Sequence, residues 1–141
     1  MYLAAIAVTI ASNVLYHIMQ KLMPATVNPA LALIVAYLAA AVICALLLPA
    51  FPLTASLGTS LRQLNLASLG LAGAIVGLEL GFLLAYRAGG QITTAALISN
   101  TSVAVLLVPV GVGLFRERPS LVNAAGMLVC LVGLVLVNWK R

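Results

Sequence analysis

Acids are almost missing from this chain: Glu79 and Glu117 are the only two among 141 residues. Charged residues of both signs together make up 6%, against about a quarter in a soluble domain. That shortage excludes an ordinary water-soluble globule. The seven lysines and arginines form no run, so a net charge of +5 leaves no footprint for nucleic acid. One histidine and two cysteines leave little for catalysis. No Cys/His ligand spacing, phosphate-cradling glycine loop or nucleophile–base–acid set is visible. Neither an enzyme, a cofactor nor a metal is expected. Cys44 and Cys130 fall inside apolar runs and read as small packing residues rather than a disulfide. The two-residue alternation of a β-barrel strand is absent as well.

What the chain does have is apolar length. Hydrophobic residues make up 65% of it, and its mean hydropathy is +1.24. Five apolar segments approach the roughly 20 residues a spanning helix needs, at about 2–23, 29–48, 65–86, 91–115 and 120–139. The expected fold is therefore all-α: a polytopic membrane protein of five transmembrane helices, one domain over 1–141 with no separate soluble part. Met1–Ala11 lacks the basic start of a signal peptide and is expected to stay as part of the first span. Pro24 closes that span, and Asn28-Pro29 opens the next with a capping side chain and a proline at the first helical position. Pro52–Leu64 is the longest connection and has the polarity of a short interfacial helix. Gly89-Gly90 makes a tight break before the fourth segment, and Arg116-Glu117-Arg118-Pro119 turns into the fifth. Trp139-Lys140-Arg141 reads as an interfacial anchor.

Glu79 lies near the middle of the third segment. A carboxylate at that depth costs roughly 2.5–3.5 kcal/mol on insertion scales. Such a residue usually faces a protein interior or a wet cavity, where it carries a proton or binds a cation. The plainer reading is a protonated Glu that only hydrogen-bonds a neighbouring helix. Gly70, Gly73, Gly77 and Gly81 line the opposite face and predict a close helix neighbour there. Gly126, Cys130 and Gly133 form a similar seam in the fifth segment, within one protomer or between two.

The first segment carries a polar stripe: Asn13, Tyr16, His17 and Gln20, followed by Lys21. Their spacing puts them on adjoining parts of one helix face, and lipid is a costly neighbour for all of them. They read either as hydrogen-bonding glue between helices or as a solute pocket. In the pocket reading Asn13 is the deepest ligand contact and His17 a titratable site in the range cells use. The fourth segment adds Ser99–Ser102; Asn100 is its strongest pocket candidate, with Ser102 beside it. Pro109 is expected to kink the second half of that segment. Tyr37 and Tyr86 add amphipathic aromatic surface, Tyr86 on the same helix face as Glu79.

From Gly89 onward the chain resembles the drug/metabolite transporter superfamily. The matching residues are Gly89-Gly90-Gln91, the polar run Ser99–Ser102, Phe115-Arg116-Glu117-Arg118-Pro119 and the glycine seam from Gly126 to Gly133. Tyr86-Arg87 fits the end of a third helix, and five helices match an EamA-type unit. Small multidrug resistance proteins, a four-helix branch, are similar at both ends. Their first helix carries a Glu eight residues before a terminal Lys, where this chain has Asn13 before Lys21. Glu79 is then the only acid left within the membrane to take that role.

The resemblance implies secondary transport of a small metabolite, drug or lipid-linked solute across a bacterial inner membrane by alternating access. Larger members fuse two inverted five-helix units, so a chain with one implies a homodimer of antiparallel copies. The competing reading is a membrane subunit that transports nothing, or the partner in a hetero-pair, whose polar residues only hold helices together.

Overall fold

Helix starts follow the capping chemistry. In a computed structural model of the chain, which describes residues 1–53, 55–118 and 120–138, Asn28 Oδ1 accepts hydrogen bonds from the amides of Ala30 at 2.9 Å and Leu31 at 3.2 Å. Pro29 occupies the first helical position. Asn65 Oδ1 accepts from the Ala67 amide at 3.0 Å, and Ser120 Oγ from the Asn123 amide at 3.2 Å. These oxygens satisfy amides that a helix start leaves without partners. The helices are α1 (Tyr2–Leu22), α2 (Pro29–Leu47), α3 (Leu57–Arg62), α4 (Leu66–Arg87), α5 (Ile92–Gly113) and α6 (Leu121–Asn138), with a 3-10 turn over Leu48–Ala50. No strand occurs among the described residues. The short α3 falls inside the connection that the composition marked as interfacial.

Helix ends differ slightly from the expected bounds, each for a local reason. Met23 has an extended backbone with ψ 125°, the conformation that a following proline imposes, so α1 stops one residue short of it. Gly89 takes a φ of 91° just after α4, a left-handed turn open to glycine at no steric cost. α5 stops at Gly113, because the chain reverses through Arg116 at a φ of 55°. Pro109 stands inside α5. Pro119 and the Trp139-Lys140-Arg141 anchor lie outside the described residues.

Among the described residues four helices are long and apolar enough to cross a membrane: α1, α2 with its 3-10 extension, α4 and α5. α6 is shorter as an apolar element, over Leu121–Gly133. The described chain forms two compact units, Met1–Ala88 and Gly89–Arg141. In the first, α4 packs against both α1 and α2. Its buried residues are His17 and Gln20 from α1, Ala32 and Leu33 from α2, and Phe82, Leu83 and Tyr86 from α4. All come from the end of the unit where α1 stops, α2 starts and α4 stops. The packing is closed there, whereas Tyr2–Leu15 is exposed throughout. In the second unit α5 packs against α6.

Candidate functional site

The closed end of the first unit is polar inside. His17 and Gln20 stand one helical turn apart on α1, only 5% and 8% exposed. Facing them, α4 presents Glu79, Phe82 and Tyr86, whose spacings of three and four residues put them on one face. The Tyr86 hydroxyl and His17 Nδ1 are 2.8 Å apart and share a buried hydrogen bond. Gln20 Nε2 donates to the Glu79 carbonyl and to the Tyr16 hydroxyl, both at 3.4 Å. Phe82 fills the space between them. Its ring meets His17 edge-on at 4.6 Å and Tyr16 at 6.0 Å, and stacks on Tyr86 at 5.9 Å. Such contacts contribute about 0.5–1.5 kcal/mol each beyond burial.

Two cations tie the rim. Lys21 Nζ donates to the Tyr86 carbonyl at 3.5 Å and lies 5.7 Å from the centre of its ring. A cation at the last carbonyls of α4 also complements that helix dipole. In return, Arg87 Nη2 donates to the Pro24 carbonyl at 3.1 Å, fastening the α1–α2 turn to the end of α4.

Glu79 is half-buried, eight residues before the end of α4. At 1.5 Å per residue this is about 12 Å inside the helix end, deep in a hydrocarbon layer of about 30 Å. The Tyr37 hydroxyl of α2 and the Tyr16 hydroxyl of α1 lie within electrostatic reach of its carboxylate. The Tyr37 hydroxyl faces that carboxylate as a side-chain hydrogen-bond partner, outside strict geometry. Gln20 Oε1 and His17 Nε2 are buried and have no hydrogen-bond partner among the described residues. An unmet buried polar atom costs about 1–3 kcal/mol, so two in one cluster are a substantial hydrogen-bonding capacity.

No family model, curated protein or solved structure matches the chain. What the chain does therefore has to be argued from its own residues.

Of the residues marked from sequence, Tyr16, His17, Gln20, Tyr37, Glu79 and Tyr86 meet in this cluster. Asn13 does not join it: it is exposed and makes no hydrogen bond among the described residues. Asn100 and Ser102 belong to the second unit, Asn100 exposed and Ser102 half-buried. Gly126, Cys130 and Gly133 lie on α6; a methyl group added at either glycine would touch nothing within 4 Å. The same holds at Gly70, Gly73, Gly77 and Gly81, so the close neighbour expected on that face of α4 is not supplied by the first unit. Phe82 was missed. The signal was there: it falls between Glu79 and Tyr86 on the face already marked as functional.

Proposed function

We propose that this chain is one half of a secondary transporter that moves a small metabolite, drug or lipid-linked solute across a bacterial inner membrane. The observation that carries the reading is mid-span Glu79, faced by the Tyr37 hydroxyl, in a cluster whose Gln20 Oε1 and His17 Nε2 have no partners among the described residues. Polar residues that serve only as helix glue have no reason to leave such atoms unmet. A polar solute, an exchanging proton or a cation would satisfy them. Glu79 is then the coupling residue and His17 its neighbour, with Tyr16, Gln20, Tyr37 and Tyr86 as walls.

α6 supplies the fifth span in this reading. Its 18 residues reach about 27 Å, close to the hydrocarbon thickness. A lone five-helix unit of the drug/metabolite transporter type needs an oppositely oriented second copy to enclose a central site. The seam of exposed Gly126 and Cys130 with half-buried Gly133 is the contact offered to it. Solute flux through proteoliposomes of the purified protein tests the reading. Flux that responds to an imposed pH gradient, and loses that response in Glu79→Gln, is the expected result. A folded protein that moves no solute of any class and binds none would make the cluster helix glue.

A further inference from the structure

The second unit holds a cleft that the transport reading does not use. It has a volume of about 360 Å³ and lies between α5, α6 and the turn joining them. Sites for small ligands occupy roughly 300–1,000 Å³. Leu107, Val112 and Met127 form its apolar wall, and Glu117, Arg118 and Asn123 its polar mouth.

These two halves lie at different membrane depths. α5 has 22 residues, about 33 Å of helix, enough to cross the hydrocarbon layer. Glu117 and Arg118 come just after its end, at the level of lipid headgroups. Leu107 lies six residues before that end, about 9 Å inside the layer. The cleft thus changes from charged to apolar in the same direction as a lipid molecule does.

The mouth is built around a missing side chain. The Glu117 amide donates to the Gly111 carbonyl at 2.9 Å, which folds the turn back over the last turn of α5. A Cβ at Gly111 would come within 2.6 Å of Glu117 Oε2. A side chain there would make the flexible carboxylate swing aside. Among the described residues neither Glu117 nor Arg118 forms an ion pair, so an acid and a base stand side by side at the mouth, each open to a ligand. An anionic headgroup meets repulsion from Glu117, and a cationic amphiphile meets it from Arg118. A zwitterion satisfies both.

We propose that this cleft binds a membrane phospholipid of the phosphoethanolamine class. The phosphate lies on the Arg118 guanidinium, which suits phosphate oxygens two at a time, and the Asn123 amide is beside it. The primary ammonium donates to the Glu117 carboxylate. The glycerol end and first methylenes lie on Leu107, Val112 and Met127, and the acyl chains continue along the exposed lipid face of the helices.

Native mass spectrometry of the delipidated full chain, titrated with lipids of identical acyl chains, tests this. Phosphatidylethanolamine is expected to be retained about tenfold more than phosphatidylglycerol, phosphatidylcholine or diacylglycerol, the scale of one charge-assisted contact. Arg118→Ala and Leu107→Trp should each abolish the preference, Arg118→Lys should keep part of it, and Glu117→Gln should erase the difference between ethanolamine and choline heads. Soluble phosphoethanolamine should not compete at equal concentration. Equal retention of all four lipids would overturn the proposal. So would an unchanged preference in both Arg118→Ala and Leu107→Trp, or displacement by the soluble headgroup.

Discussion

Two tyrosines facing the same cluster are held to different degrees. The Tyr86 hydroxyl is committed to His17 Nδ1 in a buried hydrogen bond of 2.8 Å, whereas the Tyr37 hydroxyl faces the Glu79 carboxylate outside strict hydrogen-bond geometry. Tyr86→Phe keeps the ring that stacks on Phe82 and carries Lys21, but strands a buried imidazole nitrogen. That should cost about 1–3 kcal/mol and lower the thermal midpoint in detergent. Tyr37→Phe removes a hydroxyl held only by a loose contact to the Glu79 carboxylate, so stability should fall by no more than about 0.5 kcal/mol, the low end for a hydrogen bond. If Tyr37 serves the solute, flux should fall in that variant nonetheless, and the two readouts separate. Glu79→Gln keeps the shape beside Tyr37 and loses titration. Folding should survive, and the response of flux to a pH gradient should vanish. A Gln variant with wild-type pH dependence would remove Glu79 from the coupling.

At the scale of elements, α4 is the axis of the first unit. It carries three of the seven buried residues there and is the helix that both α1 and α2 touch. In the second unit the corresponding detail is the close approach of Glu117 to Gly111. Gly111→Ala should gain about 0.8–1.0 kcal/mol of helix propensity, yet its new methyl would displace the carboxylate. In wild type the two effects should nearly cancel. In a Glu117→Ala background the clash is gone and the gain should appear in full. A double-mutant cycle read by thermal unfolding in phospholipid-free detergent should show coupling of at least about 0.5 kcal/mol; additive effects would mean that the carboxylate does not rest on Gly111. Much at this scale was legible beforehand. Asn28-Pro29 and Gly89-Gly90 mark boundaries because capping and left-handed turns are local chemistry. The polar face of α1 was legible through its spacing, since a 3.6-residue period needs no knowledge of neighbours. What escaped depends on partners distant in sequence. Lys21 on the Tyr86 carbonyl and Arg87 on the Pro24 carbonyl are long-range bonds with no periodic signature. The exposure of Asn13 depends on where α4 approaches α1, and no local pattern reports that.

For the whole molecule, five spans would place the two termini on opposite sides of the membrane. Lys21, Arg87, Lys140 and Arg141 then share one side, and Arg62, Arg116, Arg118 and the free N-terminus share the other. Four against three is too small a Lys/Arg excess to fix an orientation. On the proposed reading the chain inserts both ways, which is what two inverted copies around one site require. Small-residue surface is open in both units: the glycines of α4 and of the α6 seam have room for an added methyl group, and helix pairs in lipid use such surface for close approach. The dual-topology homodimer makes a definite prediction. With Cys44 and Cys130 replaced by serine, single cysteines at residue 1 and at residue 141 should each be labelled by an impermeant reagent in intact cells, each on about half of the molecules, as equal insertion both ways demands. Lysing the cells should bring both to completion. Adding two lysines beside Arg62 should drive one orientation, protect one terminus fully and abolish flux, and a copy with the opposite bias supplied in trans should restore it. Labelling of one terminus alone in the unmodified protein would leave a parallel dimer or a hetero-pair, and the antiparallel homodimer would be wrong.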